Sequence, residues 1–316
     1  LIWDNIIIVL FQIMPDNKYS KHQRTHFFKY TSANTAWMIL RNRTFRYSSP
    51  VLFNDPFDIQ TEIKFDFSID DFPKLVMEKI KEIVLSKKHV EFDEGNAWSK
   101  AIALLKEKVE KYGYYEEDIK SITLPLLEIM KNLLEDTRQK YNEAWRKFLP
   151  RLRVFSVSER KDSILMWSHY ADYHTGVVLK LDMLPEEDNP LCVAQPVIYS
   201  PKPPIFFTER EWIDDIIGVK EIDHQKLYWE YAYVKSDIWS YEKEWRVWDL
   251  LPDVQSRLYS DYPVYPKELD EIYFGCRIRE EDRKAVVLSA KSINPEIRFF
   301  QGTKSNDRYG LDFKEI

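Results

Sequence analysis

Glycine is the first scarcity, with seven in 316 residues. A backbone phosphate cradle needs glycines clustered at fixed spacing, and neither GxGxxG nor GxxxxGK[ST] occurs, which argues against that mode of nucleotide binding. Cysteine is almost as rare. Cys192 and Cys276 form no CxxC and no paired spacing, so neither a disulfide framework nor a thiolate zinc site is expected, and a reducing compartment is the natural setting. HExxH is missing too, and His169 and His174, five apart, make a poor metal pair; no metal is expected. There is no excess of positive charge. The formal net charge is −6, which disfavours bulk binding to nucleic acid, although a local basic patch is compatible with it.

Long apolar runs are lacking as well. Ile6 to Phe11 is too short to span a bilayer and lacks the basic flank and cleavage site of a secretory signal. Residues 1–24 are therefore expected to be a disordered or wrongly assigned N-terminal segment; Met14, followed by polar residues, is a candidate start that would leave the first thirteen residues untranslated. No membrane association is expected, and the cytoplasm is the default location.

What the chain does have is aromatic weight, 15% of its residues, and 31% charge, a balance that supports a folded core. "THFFKYTS" reads as a strand, and Ser32 or Thr31 caps a helix over "ANTAWMILRN". "TFRYSS" alternates as a second strand, and "PVLFNDPFD" follows as a proline-held loop. Residues 70–147 have apolar positions at helical spacing with Lys and Glu between them, a block of three or more helices. Strand character resumes at "LRVFSVSE", followed by a short helix near Trp167, the strand "VVLKLD" and a strand or bent pair in "LCVAQPVIYS". Residues 205–236 read as helical, and the tail as strand, helix and two strands. Strands dispersed among irregularly placed helices predict an α+β fold. The expected architecture is a mixed, split β-sheet domain over 25–316 that carries a helical insertion at 70–147.

Four groups of residues could carry chemistry. Lys29 and Thr31 share one face of the first strand with Tyr30 on the other, and a cation beside a hydroxyl could hold a phosphate and its ribose. "MWSHYADYHTG" offers Trp167, Ser168 and Tyr170 as stacking surface and hydroxyl donors; the plainer reading is a short helix with Trp167 and Tyr170 in the core. Ser168 and His169 are adjacent and diverge by about 100° on a helix, so they make no nucleophile–base pair. In "FNDPFD", Asn54 and Asp55 could cap a turn or reach into a site. In "YEKEWRVW", residues 241–248, a strand puts Glu242, Glu244 and Arg246 on one face, roughly 7 Å apart. That row faces water as cross-strand ion pairs or it lines a cleft.

Taken together, "FFKYTSANTAWMILRNRTFRYSSPVLFNDPFD", "VFSVSERKDSILMWSHYADYHTGVVLKLD", "WSYEKEWRVW" and "LDEIYFGCRI" resemble the successive blocks of a bacterial family, domain-of-unknown-function family 2971, over about Phe27 to Ile297. The order of blocks is more distantly similar to ADP-ribosyltransferase-like folds. Those have a basic–aromatic–Thr/Ser strand first, a Ser- or Tyr-bearing segment in the middle and a Glu-x-Glu late. The matching positions are Lys29, Tyr30 and Thr31, then Ser168 or Tyr170, then Glu242 and Glu244; Lys29 stands where that superfamily has His or Arg. The resemblance implies NAD as substrate in a cleft of a split sheet. Lys29 would bind phosphate or ribose, and Tyr30 or Tyr170 would stack on nicotinamide. Glu244 would stabilise the ribosyl cation, Glu242 would orient or deprotonate the acceptor, and Arg246 would hold both carboxylates. A protein or nucleic-acid acceptor fits this scheme, and so does a setting in phage defence by family analogy. The alternatives are a non-catalytic nucleotide- or protein-binding module, and a metal-dependent nucleic-acid-processing enzyme built on Asp55, Glu242 and Glu244.

Overall fold

A computed structural model describes residues 22–86, 95–206, 208–220 and 231–316. The expectations for residues 1–24 lie outside the described residues up to residue 21. Among the described residues, twelve strands and seven helices follow one another: β1 (His26–Thr31), α1 (Ala33–Asn42), β2 (Thr44–Ser48), α2 (Phe72–Leu85), α3 (Ala97–Tyr112), α4 (Glu116–Phe148), β3 (Leu152–Ser158), α5 (Ile164–His169), β4 (Val177–Asp182), β5 (Gln195–Pro196), β6 (Ile198–Ser200), α6 (Glu209–Ile216), β7 (Val234–Ser236), β8 (Glu244–Leu250), β9 (Tyr259–Pro263), β10 (Leu269–Phe274), α7 (Glu280–Lys291), β11 (Arg298–Lys304) and β12 (Leu311–Glu315). The fold is α+β. Two compact units emerge: one of residues 1–61, 148–203 and 233–316, the other of 62–147 and 204–232.

The first unit contains the twelve strands of the described residues. Ten of them form one sheet in the order β12-β11-β10-β4-β1-β3-β2-β9, with β8 paired to β3 and β5 to β8. It is mixed, since β10 and β11 run parallel while the other pairs in it are antiparallel. One seam is open. β1 and β3 meet only at Phe28↔Ser158, whereas β3 runs beside β8 from Leu152↔Leu250 to Ser158↔Glu244. At that seam Lys29 Nζ donates to the Ser156 carbonyl (2.7 Å), so a side chain of β1 satisfies an acceptor of β3 where the ladder is missing.

Both faces of the sheet are apolar, which accounts for the near-continuous hydrophobic strands. Phe27, Leu179 and Leu181 join α1 and α7 residues such as Leu40 and Val286 in one core cluster; Phe28, Tyr30 and Val178 join Trp167 of α5 in the other. Helix α1 begins where Ser32 Oγ accepts the Thr35 N–H and ends where Arg43 turns left-handed (φ 55°). Gly176 is required by proximity: a Cβ there would stand 2.3 Å from the Thr31 carbonyl oxygen.

The second unit is helical. Phe72, Val76, Ile80 and Ile83 of α2 are buried, as are Ile102 and Leu105 of α3 and Tyr141 and Trp145 of α4. Asn142 accepts the Ile63 N–H (2.7 Å) and donates to the Arg138 carbonyl. The helical reading of 205–236 needs correction: α6 covers only Glu209–Ile216 and Val234–Ser236 is the strand β7, while 207 and 221–230 lie outside the described residues. The aromatic run before Lys235 gives no clean period, and pairing of β7 with β6 decides the conformation. Among the described residues, no helix is long and apolar enough to cross a membrane.

Candidate functional site

Where β1 and β3 part, the first unit holds a cavity of about 170 Å³. Phe28, Lys29 and Tyr30 of β1 line it on one side and Ser156 to Ser158 of β3 on another. Phe53, Asn54 and Asp58 come from the loop after β2, and Met166 and Tyr170 from α5 and its end. Lys235 of β7, Glu242 and Glu244 complete the lining.

The "YEKEWR" stretch makes the floor. It is not one continuous strand, as its alternation suggested. Glu242 ends a 3-10 turn (Asp237–Glu242), Lys243 is left-handed (φ 47°, ψ 50°), and β8 starts at Glu244. A left-handed non-glycine residue is uncommon and is sustained only when its surroundings dictate it. Here Ser158 Oγ donates to the Glu242 carbonyl (2.6 Å), the Glu159 N–H to the Lys243 carbonyl (3.0 Å), and the Glu244 N–H to the Tyr199 hydroxyl (2.8 Å). The turn brings both glutamates into the same cavity.

These charges are not solvated. Relative exposure is 3% for Glu242, 6% for Glu244, 1% for Arg246, 3% for Asp58 and 8% for Lys235. Buried ions must be paired, and these are. Arg246 grips Glu244 through Nε (2.8 Å) and Nη2 (3.0 Å) and reaches Asp58 at 2.6 Å. Lys235 Nζ touches Glu242 (2.5 Å), Glu244 (2.9 Å) and Asp58 (3.4 Å). The Tyr170 hydroxyl donates to the other oxygen of Glu242 (2.6 Å). Arg246 thus holds one glutamate, not both as expected; Lys235 spans the pair.

The environments push the two glutamates apart. Burial raises the Glu242 carboxyl, the Glu244 charge adds to this, and Lys235 and Tyr170 only partly offset it, leaving it at about 6. Burial works against the Glu244 anion too, but Arg246 and Lys235 outweigh it and hold that carboxyl well below the usual carboxylate range. Burial lowers Lys29 to about 8 although the Glu244 charge opposes the shift. Lys235 is held above the ordinary lysine range, since Glu244, Asp58 and Glu242 overcome its desolvation.

Of the residues singled out in the sequence, Lys29, Tyr30, Asn54, Tyr170, Glu242 and Glu244 line this cavity. Arg246 lies behind Glu244. Thr31 is buried in register with Val177, and Trp167 is core: its indole N–H donates to the Lys161 carbonyl (2.8 Å) and its ring meets Tyr30 edge-on. Ser168 Oγ donates back to the Ile164 carbonyl and contacts His174 Nε2 (3.2 Å). Asp55, the third carboxylate of the metal reading, accepts the Phe57 N–H within its own loop, and an ammonium, Lys235, sits between the other two, Glu242 and Glu244. Tyr30 cannot swing freely to stack on a ligand, because its hydroxyl donates to the Arg160 carbonyl (2.8 Å).

Asp58 and Lys235 were not singled out. Asp58 closes the "FNDPFD" motif, whose earlier polar residues drew the attention. Lys235 was hidden in a stretch assigned to a helix. Charge balance was the available signal: two glutamates in an aromatic strand need more than one cation.

Residues 166–247 match the family described as "Protein of unknown function (DUF2971)". No curated protein and no solved structure matches the chain. The matched stretch carries Met166, Tyr170, Lys235, Glu242 and Glu244 of the cavity, with Arg246 behind them, and it is to this family of unknown function that this part of the chain is similar.

Proposed function

We propose that the chain is an ADP-ribosyltransferase-like enzyme that breaks the nicotinamide–ribose bond of NAD. The observation that carries this reading is the meeting of Lys29 from β1 with Glu242 and Glu244 in one cavity, at the seam where the sheet opens. Ligand pockets usually measure about 300–1,000 Å³. A cavity of about 170 Å³ suits the nicotinamide–ribose end alone, with the rest of the dinucleotide outside it.

The chemistry follows from the two carboxylates. As nicotinamide leaves with the bonding electrons, positive charge develops on the ribosyl carbon. Glu244, kept anionic by Arg246 and Lys235, stabilises that charge in a site with little water. Glu242, poised at about 6, takes the proton from the incoming hydroxyl of water or of an acceptor. Lys29 supplies positive charge beside the ribose below its value of about 8.

The test is nicotinamide release from NAD, followed by chromatography. Glu244→Gln should reduce it by about a hundredfold or more, with circular dichroism confirming a folded variant. Absence of release by the wild-type protein, or full activity in the variant, would overturn the reading. A second reading, a non-catalytic nucleotide-binding module, is favoured by one fact: both Glu244 oxygens already accept hydrogen bonds from Arg246 or Lys235. It predicts that NAD raises the melting temperature without being consumed.

A further inference from the structure

We propose that Lys235 and Asp58 are positioning residues that divide the work between the two cavity carboxylates, fixing Glu244 as a permanent anion and leaving Glu242 to exchange the proton. The chemistry of this inference rests on the ribosyl-transfer reading; its geometry does not. Three buried carboxylates, Asp58, Glu242 and Glu244, are in contact with two buried cations, Lys235 and Arg246, while Lys29, the third cation of the cavity, donates to the Ser156 carbonyl instead, so one acid goes short. The distances say which one. Glu244 receives Arg246 at 2.8 and 3.0 Å and Lys235 at 2.9 Å. Glu242 has Lys235 at 2.5 Å, and its second oxygen is met by a neutral phenol, Tyr170, at 2.6 Å.

Asp58 completes the division. It draws Arg246 to 2.6 Å and Lys235 to 3.4 Å through one oxygen, Oδ2. Its other oxygen, Oδ1, is buried without a hydrogen-bond partner among the described residues. Asp58 thus competes with the two glutamates for both cations, which leaves Glu242 less compensated and raises its proton affinity. Burial pushes the Asp58 carboxyl up as well, although Arg246 and Lys235 oppose it; the remaining groups that bear on Glu242 are three phenols and Lys29. Burial pushes the phenols of Tyr170, Tyr199 and Tyr241 up, and Lys29 titrates at about 8.

The test reads Glu242 directly, in the free protein, by NMR titration of glutamate labelled with carbon-13 at the side-chain carboxyl; Glu242→Gln assigns the signal. Lys235→Met should raise the midpoint of Glu242, by about tenfold or more in proton affinity, because a cation in contact is gone. Asp58→Asn should lower it, because a like charge is gone. Lys235→Arg, which keeps the charge, should leave it near its wild-type position. A merely structural role would loosen the cavity in both charge-removing variants and move Glu242 the same way in each. Shifts of the same sign, or no shift in Asp58→Asn, overturn the proposal. Should Lys235→Met fail to fold, the Asp58→Asn and Lys235→Arg titrations decide it. No NAD enters this measurement, so a protein that never releases nicotinamide refutes the ribosyl reading while leaving the titration result standing.

Discussion

Two ion networks on the same sheet use the same kinds of residue and handle them differently. Along β4 and β10, Lys180 meets Asp270 (2.5 Å), Glu271 (3.5 Å) and Asp182 (3.6 Å), and Arg298 of β11 joins Asp270 and Glu271. Lys180 and Glu271 stand opposite each other in the register, so this network is a product of ordinary strand pairing. Its outer side chains keep water, Asp270 at 30% and Arg298 at 47%, while Lys180 at 16% and Glu271 at 9% are mostly covered. In the cavity floor the side chains of Asp58, Lys235, Glu242, Glu244 and Arg246 are 2–7% exposed, and Asp58 is 188 residues from Arg246 in sequence. Exposed charges can each be neutralised by solvent; buried ones must be neutralised by one another. An imbalance that water would absorb along β4 and β10 becomes, in the floor, a difference between two glutamates.

The sharpest way to break this comparison is to remove one cation from each network. Arg246→Met leaves Glu244 and Asp58 with Lys235 alone, and a buried ion pair broken from one side costs about 3–5 kcal/mol. Lys180→Met leaves Asp182 and Asp270 within reach of water and the buried Glu271 still paired with Arg298, so the expected loss is roughly 1–2 kcal/mol. Urea denaturation of both variants measures the difference. Equal losses would mean that burial is not what separates the networks.

The contrast also shows how far the sequence could be read. Helix α1 was legible because Ser32 caps it, and β4 because "VVLKLD" alternates. Glu242, Glu244 and Arg246 were legible because acids in an aromatic stretch stand out. Strand β9 was not, because its residues are partly exposed throughout and Pro263 ends it, so no hydrophobic signal marks it. The left-handed turn at Lys243 was hidden as well: a residue of that type gives no hint of positive φ, and only the anchors from Ser158 and Glu159 impose it. Asp58 and Lys235 join the cavity through tertiary contact, which local spacing does not encode.

Glu268 offers an intermediate case, a buried carboxylate held by neutral donors. It accepts from the Asn189 amide (3.2 Å) and the Tyr265 N–H (3.3 Å), and burial pushes it up from 4.5 to about 7. A carboxyl raised in the folded state binds its proton more tightly there than when unfolded. It therefore contributes stability at acid pH that is lost as pH rises from 4.5 through about 7, and Glu242 acts in the same sense up to about 6. Glu244, held low, acts in the opposite sense, losing its contribution only as pH falls below 4.5. The urea midpoint should fall between pH 4.5 and 7, and Glu268→Gln should flatten the upper part of that fall. An unchanged slope in the variant would show that Glu268 is not the group responsible. Under the ribosyl-transfer proposal, nicotinamide release should meanwhile rise through about pH 6 as Glu242 becomes a base, opposite in direction to stability over the same window.

The smallest effect belongs to the helical unit. On α4, Arg138 contacts Glu135 with two hydrogen bonds, 3.1 and 2.6 Å, as close as any contact Arg246 makes in the cavity floor. Both side chains are 38% exposed. Distance alone would rank this pair with the floor network; solvent access ranks it far below. Arg138→Ala should cost about 0.2–1 kcal/mol, and less at high salt, because water and counterions replace what the guanidinium gave. The same urea experiment reads this, at low and at high ionic strength. A loss approaching that of Arg246→Met would make contact geometry the deciding variable, and with it would go the argument that burial is what lets Asp58 and Lys235 set one glutamate against the other.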